Sequence, residues 1–199
     1  EGGAITTNDE KLYRHLMRLR THGITRDPEE MVHPTDALWY NEQVELGFNY
    51  RMTDFQAALL LSQLKKLPMF RARRKEIKKR YDEAFGKMPE LILQKEIPES
   101  DTTWHLYVLH LNLENLNCDR RQFFDALYAE HTCPQVHSLP VYWHSYYEKL
   151  GYKKGLCPNA EKYYNEVMSI PLYYGLTDDD VEDVIHAVKK VVAYYTKLK

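Results

Sequence analysis

The sequence lacks the short motifs by which many enzyme sites are recognised. It contains no His-Glu-x-x-His helix, no cysteine pair at metal-ligand spacing, no Walker loop, no Gly-x-Gly-x-x-Gly fingerprint and no Gly-x-Ser-x-Gly elbow. Gly2-Gly3 alone is a weak signal. We therefore expect no metal site, and nothing in the sequence supports P-loop, dinucleotide-binding or serine-hydrolase chemistry.

The bulk composition excludes further classes of partner. A net charge of -2 over 199 residues gives no support for nucleic acid or an anionic membrane as the main partner, and no apolar run approaches the length of a membrane span. There is no signal peptide, and the three cysteines fit free thiols in a reducing cytoplasm. The chain opens on Glu1-Gly2-Gly3 without a methionine, so we expect that this is not a natural N-terminus.

The stretch LGFNYRMTDFQAALLLSQLKKL, residues 46–67, organises the first part of the chain. Thr53 and Gln56 have the spacing of a capping box, and the apolar residues behind them recur at helical intervals, which predicts a core helix. Asn49 and Arg51 lie just ahead of this helix. Two interpretations stay open: the pair binds an anion or a neighbouring subunit, or the segment is only a helix cap.

Strands and helices alternate in two unequal parts, which predicts an α/β fold. We expect one part over residues 1–86 and another over 87–199, joined by a hinge in 86–101. The last helix is the clearest element, because three aspartates follow Thr177 and a valine-rich stripe continues to Tyr195. The expected strands are Ala4–Thr7, Trp104–Leu113, a segment near Val136, and Ser169–Leu172.

Three segments allow more than one interpretation. In residues 24–44 the apolar residues follow neither helical nor strand spacing, and Pro28 and Pro34 interrupt the segment. Together with the Trp39-Tyr40 pair this indicates a long loop that packs against another surface. Pro68 predicts either a kink or the start of a second helix. The basic run RARRKEIKKR, residues 71–80, is most typical of a solvated helix face, although a nucleic-acid patch or a surface for an anionic substrate would also fit.

Three blocks in colinear order resemble a known family. EGGAITTND at 1–9, residues 46–67, and the tail from VHSLPVYWHSYYEKLGY to SIPLYYGLT resemble the DegT/StrS group of nucleotide-sugar aminotransferases. These enzymes are pyridoxal phosphate-dependent and have fold type I. THGITRDP at 21–28 and the Trp39-Tyr40 insertion are most similar to the branch that acts in pseudaminic acid biosynthesis.

The resemblance implies that this chain is the C-terminal half of such an enzyme. It would hold the end of the large cofactor domain, the long connecting helix and the small α/β domain. In the family the Schiff-base lysine lies a few residues before the Glu-Gly-Gly motif, so no catalytic residue is expected in this chain, and the chain alone should be inactive. The implied reaction is amination of a UDP-linked 4-keto-6-deoxy-N-acetylhexosamine, with glutamate as donor.

The resemblance also assigns cofactor-binding residues. Asn49 matches the residue that reaches across a homodimer to the cofactor phosphate of the partner subunit, and an amide donor before a helix N-terminus suits a phosphate oxygen. Arg51 would support the same phosphate or the substrate, or else only brace the turn. The active site would then be shared between two subunits.

Substrate-binding candidates lie in two regions. We expect Arg26 and the Trp39-Tyr40 pair to bind the UDP part of the substrate. Arg26 suits the diphosphate, and the aromatic pair suits stacking on the uracil ring. His137 matches the histidine of the family's His-Tyr-x-Pro motif, which faces the sugar. Here Ser138 replaces the tyrosine and Ser145 replaces a proline, so a structural histidine that caps a loop is an equal alternative.

Two other functions fit the same residues. A non-catalytic homologue or folded interaction module would account for the altered loop at Ser138 and Ser145. A sugar dehydratase of the same family, with histidine in place of the lysine, would differ only outside this chain.

Overall fold

Helices and short antiparallel strands alternate along the chain in the computed structural model, which describes residues 2–33 and 35–197. This mixture confirms the predicted α/β class. Glu1 of the Glu-Gly-Gly motif and the predicted breaker Pro34 lie outside the described residues. The helices are α1 Glu10–Leu19, α2 Asp54–Phe85, α3 Arg120–Ala129, α4 Ser145–Lys149, α5 Pro158–Glu166 and α6 Asp178–Tyr195, with a 3₁₀ turn at Val141–Trp143. The strands are β1 Ile24–Thr25, β2 Glu42–Gln43, β3 Leu91–Ile92, β4 Tyr107–Leu111 and β5 Val167–Ile170.

The chain divides into two compact units between Lys65 and Lys66. We call residues up to Lys65 the first unit and residues from Lys66 the second unit. The first unit holds α1, the β1–β2 hairpin and the start of α2, and in the hairpin Ile24 pairs with Gln43. The predicted domain boundary between residues 86 and 87 stays a prediction.

The second unit is built on a three-stranded antiparallel sheet in the order β3-β4-β5. Tyr107, Leu109 and Leu111 alternate inward along β4 and are buried, as their spacing predicts. Phe123 on α3 and Val188 on α6 are fully buried in the same core. A sheet covered by amphipathic helices thus gives this unit its own hydrophobic core.

Capping boxes form at the starts of three helices, and the one at Thr53 and Gln56 confirms the prediction. Thr177 accepts from the backbone N–H of Asp180 at the start of α6, and the Asp180 carboxylate accepts from Thr177 in return. Asp119 and Gln122 form the same reciprocal pair at α3. Ahead of α2 the Thr53 N–H donates to Gln56 Oε1 over 2.9 Å.

The basic run on α2 is largely occupied by ion pairs within the second unit. Arg73 and Arg80 both donate to Oδ1 of Asp178 over 2.8 Å, and Arg80 also reaches Glu182 over 2.7 Å. The hydrogen bond from Arg73, followed by the charges of both arginines, lowers the pKa of the Asp178 carboxyl. The expectation of a mainly solvated face is therefore wrong for Arg73 and Arg80, which fasten α2 to the first turn of α6.

Two strand predictions are wrong and one proline question is settled. No strand forms over Ala4–Thr7, because an extended segment needs a paired neighbour and these residues have none among the described ones. The segment near Val136 contributes only an isolated bridge between Gln135 and Ser169. Pro68 lies inside the continuous helix α2 rather than at the start of a second helix.

The first three turns of α2 are exposed, which contradicts their expected place in a core. Phe55 is 92% exposed, and Leu59 and Leu61 are each 62% exposed. Buried residues of α2 begin only at Ile77. The pattern correctly predicted a helix, but the described residues of this chain do not cover its apolar sides.

No helix among residues 2–33 and 35–197 is long and apolar enough to cross a membrane.

Candidate functional site

The segment that carries Asn49 is fixed by backbone hydrogen bonds to the end of α1. The Phe48 N–H donates to the Leu19 carbonyl over 2.8 Å, and the Phe48 carbonyl accepts from the His22 N–H over 2.9 Å. One step further, the Tyr50 N–H donates to the Arg20 carbonyl over 3.0 Å. Bonds on both sides of Asn49 hold its backbone in place, so its side chain is presented from a rigid segment.

Two glycines allow this close approach. Gly23 has a φ of +70°, and a Cβ built on it would lie 1.9 Å from the Glu45 carbonyl oxygen. A Cβ on Gly47 would lie 2.1 Å from the Gly23 nitrogen. Both distances are far below van der Waals contact, so any larger residue would push the two segments apart. Gly23 also closes the turn after α1, because its N–H donates to the Arg18 carbonyl over 2.9 Å.

Asn49 and Arg51 are exposed, and their side chains form no hydrogen bond or ion pair with residues 2–33 or 35–197. The rings of Phe48 and Tyr50 stack at 4.9 Å with 8° between their planes. Because neighbouring side chains of an extended segment alternate in direction, this ring pair leaves Asn49 and Arg51 together on the opposite side. The amide and the guanidinium thus present donors on one side of the segment.

Charged side chains of α1 also bind the residues just before the Asn49 segment. Glu45 accepts from Arg18 Nε over 2.8 Å and contacts His15 Nε2 at 2.6 Å. Arg18 is also paired with Glu30 at 2.8 Å. The Arg18 hydrogen bond is the largest cause that lowers the pKa of the Glu45 carboxyl. These contacts tie α1 to the residues that lead into the Asn49 segment.

The loop between β1 and β2 is organised by Glu42. Its carboxylate accepts from the backbone N–H groups of Val32 and His33 over 2.6 and 2.8 Å, and from the Tyr40 hydroxyl over 2.8 Å. Desolvation opposes ionisation of Glu42, but these three hydrogen bonds together lower its pKa. Tyr40 is therefore engaged within the loop, whereas Trp39 is 78% exposed and its ring is available for stacking.

Arg26 lines an open hollow of about 500 Å³ in the first unit. Arg14 and Arg18 on its wall are paired with acidic residues. Arg20 and Arg26 also line it, and within the described part of the chain they form no ion pair. Two guanidinium groups without acidic partners make this hollow suited to an anion.

His137 lies in the second unit beside β5. Its ring is exposed, and Nδ1 lies 3.0 Å from Oγ of Ser169, a buried residue of β5. This contact orients the ring and is compatible with both predicted roles, a histidine that faces the sugar and a structural histidine that caps a loop. Ser145, which stands where the family has a proline, begins α4.

The segment that follows His137 is anchored by Glu161 of α5. Glu161 Oε1 accepts from the Tyr142 hydroxyl over 2.7 Å and from the Gly155 N–H over 2.6 Å. Desolvation and the bond to Glu161 raise the pKa of Tyr142 to about 12. The Trp143 ring packs edge-on against Tyr164 at 5.4 Å. These contacts fix one end of the loop whose other end carries His137.

The structure groups five of the six candidate residues in the first unit: Arg26, Trp39, Tyr40, Asn49 and Arg51. Asn49 and Arg51 share one short segment, whereas Arg26, Trp39 and Tyr40 belong to the loop between β1 and β2. The sequence interpretation missed Glu42, Glu45 and Arg20. No local pattern marks the two glutamates, because their partners lie up to 30 residues away along the chain. Arg20 could have been noticed from its position just ahead of the Thr21-His22-Gly23 turn.

Known proteins resemble this chain over almost its whole length. The sequence profile of the DegT/DnrJ/EryC1/StrS aminotransferase family matches residues 1–189. The chain is 40% identical to the spore coat polysaccharide biosynthesis protein SpsC of Bacillus subtilis, over 96% of the chain and 50% of that protein. It is 33% identical to a UDP-4-amino-4,6-dideoxy-N-acetyl-beta-L-altrosamine transaminase of Campylobacter jejuni, over 96% of the chain and 49% of that protein.

A solved structure shares the fold. The sugar aminotransferase Spr1654 from Streptococcus pneumoniae in its PLP form superimposes with a TM-score of 0.79 at 25% identity, covering 94% of this chain and 45% of that one. The chain spans about half the length of the curated relatives it matches. Its match to the family profile extends over almost its whole length, so the chain belongs to the DegT/DnrJ/EryC1/StrS aminotransferase family.

Proposed function

We propose that the full-length protein containing this chain is a pyridoxal phosphate-dependent aminotransferase. Its substrate is a UDP-linked 4-keto-6-deoxy-N-acetylhexosamine, its amino donor is glutamate, and its product serves bacterial surface-sugar biosynthesis. The observation that carries the proposal is the 33% identity over 96% of the chain to a transaminase of a UDP-linked amino sugar. This chain supplies the C-terminal half and contains no Schiff-base lysine.

The donor groups of the Asn49 segment fit the phosphate of the cofactor. Asn49 offers an amide N–H and Arg51 a guanidinium, and both are exposed with unused donors. The rigid backbone of this segment lowers the entropic cost of binding, because the donors are already positioned. When bound, pyridoxal phosphate serves as an electron sink that allows a carbon–nitrogen bond to be broken and formed. This chain's part is to hold the phosphate.

The substrate contacts are assigned to the remaining candidates. Arg26, together with Arg20, would bind the diphosphate in the hollow beside α1. The exposed Trp39 ring would stack on uracil, while Tyr40 supports it from within the loop through Glu42. His137 would contact the sugar.

The exposed start of α2 supports a larger assembly. Residues separated by two positions lie about 200° apart around a helix, so Leu59 and Leu61 lie on opposite sides of α2. A helix that is apolar on all sides is normally buried. We propose that the upstream half and a second copy of the protein cover these sides, which gives a homodimer with an active site shared between subunits.

The test is an amination assay with the purified full-length protein. Pyridoxal phosphate, glutamate and a panel of UDP-4-keto sugars are supplied, and the nucleotide sugars are separated and identified by mass. Amination of a 4-keto-6-deoxy-N-acetylhexosamine supports the proposal. Amination of none of the sugars would overturn it, and loss of water from the ring instead of amination would assign the dehydratase function.

A further inference from the structure

Ser169 occupies a position where its backbone and its side chain are both fixed. Its N–H donates to the Gln135 carbonyl over 2.7 Å, and its own carbonyl accepts from the Gln135 N–H over 2.9 Å. On the other side it is paired with Val108 of β4. Its side chain is only 6% exposed. The hydroxyl of Ser169 therefore has a defined location. His137, which follows Gln135 by two residues, lies next to it.

The contacts of this hydroxyl favour one tautomer of the neutral His137 ring. Ser169 Oγ lies 3.3 Å from the Gln135 carbonyl oxygen and 3.0 Å from His137 Nδ1. A hydroxyl has one hydrogen to donate, and a carbonyl can only accept. Both contacts are hydrogen bonds only if the hydroxyl donates to Gln135 and accepts from Nδ1–H. If the hydroxyl donated to Nδ1 instead, its hydrogen bond to the Gln135 carbonyl would be lost, and the two oxygens would face each other at 3.3 Å without a hydrogen between them.

We propose that Ser169 is a positioning residue that holds His137 as the Nδ1–H tautomer. Nε2 of this exposed residue then keeps its lone pair and presents a hydrogen-bond acceptor to a hydroxyl or amide N–H of the sugar substrate. The tautomer of a histidine is set by the hydrogen bond that its other nitrogen makes. The role of Nε2 rests on the proposed function, whereas the tautomer does not.

Nuclear magnetic resonance of the full-length protein with labelled histidine tests the tautomer without any activity. Long-range proton–nitrogen correlations distinguish the two tautomers, and His137→Gln assigns the signals. We expect Nδ1–H in the wild type and in Ser169→Thr, which keeps the hydroxyl, and a tautomer mixture in Ser169→Ala. Ser138→Ala is the matched control, since Ser138 is exposed and its hydroxyl bonds to no described residue. An Nε2–H wild type, or no change in Ser169→Ala, would overturn the proposal.

Steady-state kinetics test the link to the substrate. Ser169→Ala should raise the KM for the UDP-sugar roughly two- to tenfold, the effect of one neutral hydrogen bond, with kcat nearly unchanged. Ser169→Thr and Ser138→Ala should match the wild type. An altered tautomer with an unchanged KM would refute the role of Nε2. A protein that fails to aminate any sugar while showing the expected tautomers would overturn the proposed function and leave the role of Ser169 in place.

Discussion

The exposed start of α2 predicts that one substitution is nearly neutral in the 199-residue chain and destabilising in the full-length protein. Leu59 and Leu61 are both 62% exposed in this chain. Replacing either with Asp should change the free energy of unfolding of the 199-residue chain by less than about 0.5 kcal/mol, as for ordinary surface positions. If the full-length protein buries these side chains, each loses about 1.5–3 kcal/mol of burial, and the buried charge adds to that cost.

Leu127 provides the matched control because it is fully buried in the core of the second unit. Leu127→Ala should cost about 2–5 kcal/mol in the 199-residue chain and in the full-length protein alike. Urea unfolding followed by circular dichroism gives the stabilities, and light scattering gives the oligomeric state. The reasoning is refuted if Leu59→Asp and Leu61→Asp leave the full-length protein as stable and as dimeric as the wild type. It is refuted as well if they destabilise the 199-residue chain as strongly as Leu127→Ala.

Three further predictions concern single side chains. Asn49→Ala in the full-length protein should weaken pyridoxal phosphate binding by about 1.5–3 kcal/mol, the value of a hydrogen bond to a charged group. An unchanged affinity in a dialysis titration would mean that Asn49 serves only the fold. Desolvation raises the pKa of the partly buried Cys118 thiol to about 11, so iodoacetamide at pH 8 should modify exposed Cys133 at least about tenfold faster than Cys118. Equal rates by mass spectrometry would contradict the partial burial of Cys118. The Arg18 hydrogen bond lowers the pKa of the Glu45 carboxyl below its ordinary 4.5, so ionised Glu45 stabilises the fold above that pH, and this stabilisation is lost as the pH falls through the lowered pKa. Amide protection around residue 45 should therefore fall over the same pH range in the wild type. A similar fall in Glu45→Gln would show that protonation of Glu45 is not the cause.

Elements whose partners are local could be predicted from the sequence. The α6 stripe, the capping boxes and the alternation on β4 depend on spacings of two to four residues, and all of them form. The start of α2 shows the limit of this reasoning. Its periodicity correctly indicates a helix, but periodicity does not say whether the surface that covers the helix lies in the same chain.

Contacts between distant residues could not be predicted. The sequence favours a solvated basic face for Arg73 and Arg80, because their partner Asp178 lies 105 and 98 residues away along the chain. Glu42 likewise organises its loop through the backbone N–H groups of Val32 and His33, for which no sequence signature exists. The residue pattern and the family resemblance both point to Asn49, and the resemblance points to His137, whereas the contacts that fix each residue involve partners distant in sequence.

Transfer of labelled nitrogen from glutamate to a nucleotide sugar tests the central claim most directly. The full-length protein is incubated with pyridoxal phosphate, glutamate carrying an isotopically labelled amino group, and a UDP-linked 4-keto-6-deoxy-N-acetylhexosamine. The account predicts that the label appears at C4 of the sugar and that 2-oxoglutarate forms in equal amount. A sugar that stays unlabelled while the protein is folded and holds its cofactor would contradict it.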